Sequence, residues 1–229
     1  MMLMKTIALA ASGVLALTGG ALMLPQADAA LSPTTAAELE QLFVDHDVPQ
    51  HQWQGLLDAV EAGVPVGAQT DQPPVSTESY ARGAMEGTIS RWADGSFATS
   101  LEEVPVEVQP GQVMARAVAG CVRYTSAGAT SSTGCMVSET VFNLTTSFQA
   151  NYWQSVSQAR ITRAWNYNAS CIGCSWTFEH LRITKGTGFS NSRPSTAELV
   201  LMVTMFGSNS RTWLQLSVGP TAVSTQKNY

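Results

Sequence analysis

Beyond Tyr80, apolar residues recur at every second position over short runs, and turn residues separate the runs. In a strand, this period places alternate side chains on opposite faces. No stretch of helical period separates the runs, and parallel strands would need such a crossover. The region therefore predicts a mainly β fold, an antiparallel β-sandwich, with a closed barrel as the alternative.

Three runs show the expected organisation of this region. Two strand-like runs meet at Asp94-Gly95, a dipeptide typical of hairpin turns. Residues 197–206, AELVLMVTMF, are apolar on both faces, which indicates a central strand. In residues 212–219, TWLQLSVG, the aliphatic side chains alternate. We expect these aliphatic side chains to face inward and Trp213 to face outward.

The run CSWTFEHLRIT changes parity in its middle. The two aromatic residues before Glu179 lie on one face, and the two aliphatic residues after His180 lie on the other. A shift of this kind predicts a β-bulge near Glu179-His180, or a strand that is buried on both sides.

The first 29 residues have the three parts of a secretory signal peptide. Lys5 precedes an apolar stretch that contains a glycine pair, and Ala27-x-Ala29 supplies a cleavage site. The stretch also has the length of a membrane anchor, but the glycine pair and the small-residue site favour cleavage after Ala29. The sequence therefore predicts a secreted, extracellular chain with no stable membrane insertion after cleavage.

Export makes the four cysteines oxidisable, and an even number in a secreted chain predicts two disulfides. Cys121 and Cys135 flank a turn-rich stretch, so their pairing would staple a hairpin. Cys171 and Cys174 would then close a short loop that pins one turn. A zinc site would need two to four residues between the first pair, where thirteen are present. A thioredoxin-type site would need a helix after the second pair, where strand formers follow. We expect structural disulfides, with no metal and no cofactor.

Two short helical segments open the mature chain. Thr35 stands three residues before Glu38, a capping-box pattern that indicates the start of a helix. Pro49 suits the first position of a second helix, and Gly63 suits the residue after its end. No metal-binding motif such as HExxH accompanies His46 and His51, which are therefore expected at the surface or on a docking face.

These signals divide the chain into a signal peptide (1–29), an αα-hairpin (30–63), a polar linker (64–79) and an antiparallel β domain (80–229). A helix pair of this length is marginal in isolation. Its apolar stripe is therefore expected to dock on the β domain. The stripe consists of Leu42, Phe43, Trp53, Leu56 and Val60.

Charge is divided unevenly along the chain. Residues 31–110 contain thirteen acidic and two basic side chains, whereas residues 111–229 contain three acidic and nine basic ones. This division predicts two parts that attract each other, or a basic face for an anionic envelope polymer; two ordinary solvated surfaces are the simpler interpretation. Scattered cations, a pI near 5.1 and the lack of a recognition motif argue against nucleic-acid binding.

Aromatic residues on strand faces are the candidate binding residues. Trp165 and Tyr167 alternate along one run, so they are predicted to share a face. Trp213 lies with Arg211 on a polar face. Aromatic rings on a rigid sheet can stack on sugar rings. A place in the sandwich core is the ordinary alternative for these aromatic residues.

Residues for catalysis are scarce in the β region. His180 is its only histidine, and Glu139, Glu179 and Glu198 are the only acids beyond Pro110. A Ser-His-acid triad would need one of these acids, or the acidic N-terminal part, to reach His180. No catalytic residue is therefore assigned. A secreted hydrolase that uses His180 is the first alternative function, and a secreted toxin or inhibitor is the second.

The segments LFVDHDVPQHQWQGLLDAVEAG, PVSTE, RWADGS and GC…C resemble a group of secreted proteins of Gram-positive actinobacteria with no assigned function. The resemblance covers most of the mature chain and implies export from such a bacterium. It supplies no activity and no functional residues. The residues themselves favour a non-enzymatic binding or structural protein at or near the cell envelope. A glycan or an anionic wall polymer is the expected partner.

Overall fold

The computed structural model of the protein describes residues 31–108, 120–205 and 207–228. The predicted signal peptide lies outside these residues. Residues 113–125, VMARAVAGCVRYT, also read as a strand in the sequence, and the first part of this run lies outside the described residues. Within the described residues, no helix is long and apolar enough to cross a membrane.

Two helices, α1 (Pro33–Asp45) and α2 (Gln50–Glu61), open the described chain, and a 3₁₀ turn follows at Gly67–Gln69. Ser32, and not Thr35, caps α1, because its Oγ accepts the backbone N–H of Thr35 at 3.1 Å. The predicted capping box is therefore wrong, since the proline that follows Ser32 suits the first helical turn.

Strands make up most of the remaining described chain. They are β1 (Ser76–Arg82), β2 (Met85–Arg91), β3 (Phe97–Glu103), β4 (Val106–Val108), β5 (Val122–Ser126), β6 (Ala129–Val141), β7 (Leu144–Ser155), β8 (Ala159–Cys171), β9 (Ser175–Lys185), β10 (Ser195–Met205), β11 (Ser208–Val218) and β12 (Val223–Asn228).

The strands form two sheets that do not close into a barrel. The first sheet contains β1 to β8, and β6 lies at its centre. The two halves of β6 pair with β5 and β3, and its other edge pairs with β7. The second sheet has the order β12-β11-β10-β9. Pairing is antiparallel throughout, except that β4 lies parallel to β5. The predicted mainly β, antiparallel fold is confirmed.

The sandwich core lies between the two sheets and is mostly aliphatic. Phe148 of β7, Leu199 of β10 and Leu214 of β11 are all at most 1% exposed. β10 lies between β9 and β11, as its apolar sequence predicts. On β11 the aliphatic residues face the core and Trp213 is half-buried on the other face. The inward and outward positions of β11 were therefore predicted correctly.

The predicted bulge in β9 is present. His180 is opposite Val200, and Phe178 is opposite Leu201, so Glu179 is the extra residue. The bulge compensates for the change of parity in the sequence. It places four apolar residues opposite core residues of β10: Trp176, Phe178, Leu181 and Ile183.

The helical hairpin docks on the β domain through the predicted stripe. Phe43 of α1 is fully buried, and its ring lies 6.0 Å from that of Phe142, in the β6–β7 turn. The stripe, together with Leu39, packs against Ile89, Phe97 and Val141. All five predicted stripe residues belong to this cluster: Leu42, Phe43, Trp53, Leu56 and Val60.

The segment predicted as a polar linker over 64–79 is partly structured. Val66 is 3% exposed and packs in the hairpin cluster. The backbone N–H of Gly67 donates to Asp94 Oδ2 at 2.6 Å. β1 begins at Ser76, inside the predicted linker. The prediction missed this order because the contacts that hold the segment come from the β2–β3 turn.

Attraction between the two charged parts does not hold the hairpin. The hairpin covers β2 and β3, which belong to the same acidic part of the sequence. Its contact with the basic part is apolar, through Val141 and Phe142. Among the described residues, one ion pair joins the hairpin to β1, between Asp45 and Arg82, with an N–O distance of 2.6 Å.

Both disulfides have the predicted pairing. Cys121 is bonded to Cys135 across β5 and β6, and Cys171 is bonded to Cys174 in the β8–β9 turn. The described chain contains no free cysteine. Two disulfides indicate an oxidising, extracytoplasmic location.

Candidate functional site: the polar face of the four-stranded sheet

The four-stranded sheet has one apolar and one polar side. Alternate residues of β10, starting at Ala197, point into the sandwich core, so the residues between them point outward. We call this outward side the polar face. Its principal side chains are those of His180, Arg182, Lys185, Thr196, Glu198, Met202, Arg211, Trp213, Gln215, Ser217, Ser224 and Gln226.

A groove of about 480 Å³ lies at one end of the polar face. Lys185 and Arg193 line it, and neither cation makes an ion pair with any described residue. Among the described residues, no acidic side chain lines the groove. The remaining lining is largely hydroxyl and amide side chains: Asn191, Ser192, Thr196, Gln215, Ser217, Ser224 and Gln226.

The register of the strands sets the spacing of these groups. Thr196, Ser217 and Ser224 lie directly opposite one another on three neighbouring strands. Adjacent strands are about 4.8 Å apart, so a row of hydroxyl groups crosses the floor of the groove. Asn191 is held at the rim, because its Nδ2 donates to Thr221 Oγ1 at 2.7 Å. The groove is therefore built largely of polar side chains on rigid strands.

Trp213 lies further along the polar face, beyond Gln215. It is half-buried, and its cross-strand neighbours are Val200 and Asn228. Val200 points outward but is only 1% exposed, which indicates that larger neighbours cover it. Asn228 Oδ1 accepts the backbone N–H of Trp213 at 2.8 Å. Part of the indole therefore stays accessible on a fixed backbone.

Arg211, the other predicted binding residue on this face, has an acidic partner. Its Nε lies 2.9 Å from Glu179 Oε2. Glu179 is the extra residue of the β9 bulge, which turns its side chain toward β11. The ion pair partly neutralises Arg211, so the unpaired cations of the groove present the stronger positive field.

Of the three acids beyond Pro110, only Glu198 approaches His180. His180 Nε2 lies 3.7 Å from Glu198 Oε2, which is too far for a hydrogen bond. Glu139 is buried between the two sheets, where Lys227 Nζ lies 2.7 Å from its Oε2. Glu179 accepts a hydrogen bond from Arg211. The described residues around His180 therefore do not assemble the hydrogen-bonded chain of a Ser-His-acid triad.

Trp165 and Tyr167 lie on the other sheet, and the prediction that they share a face is wrong. Asn166 has a φ of 53°, and the register places two residues of β8 opposite Phe148. This bulge shifts the alternation between the two aromatic residues. Tyr167 stacks on Phe178 of the second sheet, with ring centroids 4.0 Å apart. Trp165 instead lies under the guanidinium of Arg163.

Sequence reasoning missed the groove. Lys185 ends a strand and Arg193 lies in a loop, so their proximity depends on the β9–β10 connection. The available signal was the polar parity of TWLQLSVG and VSTQKN, whose outward positions after Trp213 are hydroxyl and amide residues. That parity indicates a polar surface, but does not locate a groove on it.

No family model and no curated protein match the sequence. Among solved structures, the fold is distantly similar to a hypothetical protein of Listeria monocytogenes, with 15% sequence identity and a TM-score of 0.33. The match covers 67% of this chain and 93% of that protein. A similarity at this level does not bear on function.

Proposed function

We propose that the mature chain is a secreted, non-enzymatic binding protein that contacts an anionic glycan or wall polymer at or near the cell envelope. The observation that carries this proposal is the groove between Lys185 and Arg193. It combines two unpaired cations with a floor of hydroxyl and amide groups, and no acidic side chain among the described residues lines it.

These groups match the chemistry of a charged polysaccharide. Lys185 and Arg193 can each donate charge-assisted hydrogen bonds to a phosphate or carboxylate group. The hydroxyl row from Thr196 to Ser224 can exchange hydrogen bonds with sugar hydroxyls. Trp213 offers a stacking surface further along the same face, where a longer chain would pass.

The net charge of the polar face supports an anionic ligand. Arg182, Lys185, Arg193 and Arg211 outnumber the two carboxylates, Glu179 and Glu198. The overall chain is negative, so this cation-rich face is opposite in sign to the protein as a whole. Since the cations are near the surface, binding should weaken as salt is added.

Isothermal titration calorimetry of the oxidised mature chain tests the proposal. The probes are polygalacturonate, a poly(glycerol phosphate) and uncharged dextran. We expect both anionic polymers to bind and dextran not to bind. The double variant Lys185→Ala/Arg193→Ala should weaken binding by about tenfold or more. Trp213→Ala should weaken it without changing its salt dependence.

Arg160→Ala is the matched control, because Arg160 is an exposed arginine on β8 without an ion pair to any described residue. It should leave binding unchanged. Equal affinity for dextran and the anionic polymers would overturn the proposal. So would a loss of binding free energy in the control that is half that of the double variant or more, because binding would then follow the number of charges removed and not their position.

A further inference from the structure

A second cavity, of about 310 Å³, lies where the helical hairpin meets the end of the sandwich. Gly63 and Pro65, just after α2, form one side. Leu144 and Val203, each 1% exposed, lie at its base. Among the described residues, no charged side chain lines this cavity. It has no lining residue in common with the groove on the polar face.

One wall of the cavity is a row of hydroxyl side chains on β11. Ser208, Ser210 and Thr212 are separated by two positions each and continue the core-facing alternation of Leu214. The core-facing side of β11 therefore changes from aliphatic to hydroxyl residues at this end. Serine is much smaller than leucine, so the change leaves space that close packing would otherwise fill.

Thr212 places a hydroxyl group without a partner among the described residues at this space. It is only 2% exposed, yet its hydroxyl makes no hydrogen bond to any described residue. Buried hydroxyl groups nearly always have a partner. Thr212 Oγ1 is not among the fully enclosed side-chain atoms of the described chain that lack a hydrogen-bond partner. Its oxygen must therefore border open space, and the cavity is the space that Thr212 lines.

The opposite wall is preformed by Gln69. Its Oε1 accepts the backbone N–H of Val66 at 3.3 Å, and its Nε2 donates to Asn143 Oδ1 at 3.2 Å. The same Nε2 lies 3.2 Å from Met205 Sδ. These contacts hold both the amide and the methionine side chain in place. The hydroxyl row is consequently the part of the lining that remains free to bind a ligand oxygen.

We infer that this cavity binds a neutral, mainly aliphatic small molecule, or the end of an aliphatic chain, whose oxygen atom accepts a hydrogen bond from Thr212. The volume accommodates about ten heavy atoms at roughly 30 Å³ each. A charged group is disfavoured, because no lining ion would offset the loss of its hydration. The aliphatic part packs on Leu144 and Val203.

Titration of the mature chain with 1-octanol tests this inference, with octanoate as the charged analogue. Amide resonances are followed by NMR. We expect saturable shifts for Leu144, Val203 and Thr212, and none for Lys185 on the polar face. Octanoate should bind about tenfold more weakly or worse. Octanol should also raise the melting temperature with increasing concentration.

Ser210→Leu should fill the mouth of the cavity and weaken octanol binding by about tenfold. Ser210 is exposed, so the variant is expected to fold. Ser170→Leu is the matched control, because Ser170 is an exposed serine on β8 outside the cavity. If Ser210→Leu does not fold, Ser208→Leu takes its place. Shifts that do not saturate, or unchanged binding in the cavity-filling variant, would overturn the inference.

Discussion

The molecule has two apolar clusters, and they are assembled differently. The sandwich cluster consists of residues on the inner faces of two hydrogen-bonded sheets, such as Phe148 and Leu199. The hairpin cluster combines two helices, a 3₁₀ turn, β2, β3 and the β6–β7 turn. Its central contacts are between rings, including Phe43 with Phe142 and His46 with Phe97 at 4.2 Å. Backbone hydrogen bonds within the two sheets hold the residues of the sandwich cluster in place. The hairpin cluster depends instead on contacts between side chains of distant segments.

This difference has consequences for stability. Removing the helices would leave both sheets intact but would uncover large side chains on β2 and β3. The hairpin cluster also contains a titratable group, His46, which is 3% exposed. Docking of the hairpin should therefore respond to pH as well as to truncation.

The CIGC loop joins the two clusters. Ile172 packs in the hairpin cluster, whereas Cys171 and Cys174 pack against the sandwich core. Asn143 fixes the loop: its Nδ2 donates to the carbonyl of Ile172 at 2.7 Å, and its own carbonyl accepts the N–H of Ile172 at 3.0 Å. The loop closed by the Cys171–Cys174 disulfide thus lies where the two clusters meet.

Deleting residues 30–63 should have the largest effect. It uncovers Ile89, Phe97 and Phe142, and each such side chain contributes about 1.5–3 kcal/mol when buried. We expect the melting temperature to fall by roughly 10 °C or more, with increased binding of a hydrophobic dye. An unchanged melting temperature and dye signal would mean that the hairpin does not stabilise the β domain.

A single substitution sharpens the same comparison. Phe43→Ala should lower the free energy of unfolding by about 3–5 kcal/mol, because Phe43 is fully buried. Glu40→Ala, on the exposed side of the same helix, should change it by no more than about 0.5 kcal/mol. Urea unfolding measures both values. Similar effects of the two substitutions would contradict the observed docking face.

Replacing each disulfide in turn should affect the two clusters differently. Cys121→Ala/Cys135→Ala should cost about 3 kcal/mol, whereas Cys171→Ala/Cys174→Ala should cost about 2 kcal/mol, because its loop is shorter. Amide exchange should show the second loss mainly in α1 and α2, since Ile172 packs against the cluster that contains the hairpin. Faster exchange confined to β5 and β6 in both variants would refute the joining role of the CIGC loop.

The pH dependence of docking should come from His46. Burial lowers the pKa of His46, and the hydrogen bond from the ring to the Leu42 carbonyl opposes this only in part. The unfolded state therefore binds more protons than the folded state below pH about 6.5. The contribution of neutral His46 to stability is fully present above that pH and is lost as the pH falls through the lowered folded pKa.

Thermal unfolding between about pH 7 and pH 5 measures this effect. His46→Gln should flatten the profile, while His51→Gln, at an exposed position of α2, should leave it unchanged. Asp45, Arg82 and Arg91 also lie near His46, and the hydrogen bond with Gln41 is the main cause that lowers the pKa of Asp45. Protonation of Asp45 therefore destabilises the protein at a lower pH than protonation of His46 does. Equal profiles for the two glutamine variants would exclude His46 as the source.

His180→Ala should have a small effect, about 1 kcal/mol or less, because the side chain is only half-buried. A non-catalytic protein has no turnover for this substitution to remove. The mature chain is screened against ester, peptide and glycoside substrates beside the variant, with Glu198→Gln as the second variant. Robust turnover that disappears in His180→Ala would replace the binding proposal with the hydrolase alternative.

The smallest effect is expected for the ion pair between Asp45 and Arg82. Arg82→Gln should lower stability by about 0–1 kcal/mol, because both side chains are partly exposed. The difference should vanish near 1 M salt, where the screening length is roughly 3 Å. Arg123→Gln, which removes a pair with Glu107 away from the hairpin, serves as the control. A large salt effect on hairpin docking would restore electrostatic steering as its cause.

Local periodicity was sufficient to predict the main elements. The alternation in TWLQLSVG, the apolar β10 sequence and the parity change at Glu179 all correspond to features of the observed sheets. The cysteine pairing followed from spacing and export. These features depend on residues close together in the chain, so the sequence alone determines them.

Tertiary structure decided where the candidate binding groups lie. The bulge at Asn166 separates Trp165 from Tyr167, although the sequence between them shows no change of parity. The groove at Lys185 and the cavity at Thr212 each combine residues from several elements. Their positions depend on register, bulges and loop packing, which are set by contacts between distant segments. Period and propensity describe each strand's own faces, but only these long-range contacts determine which faces meet.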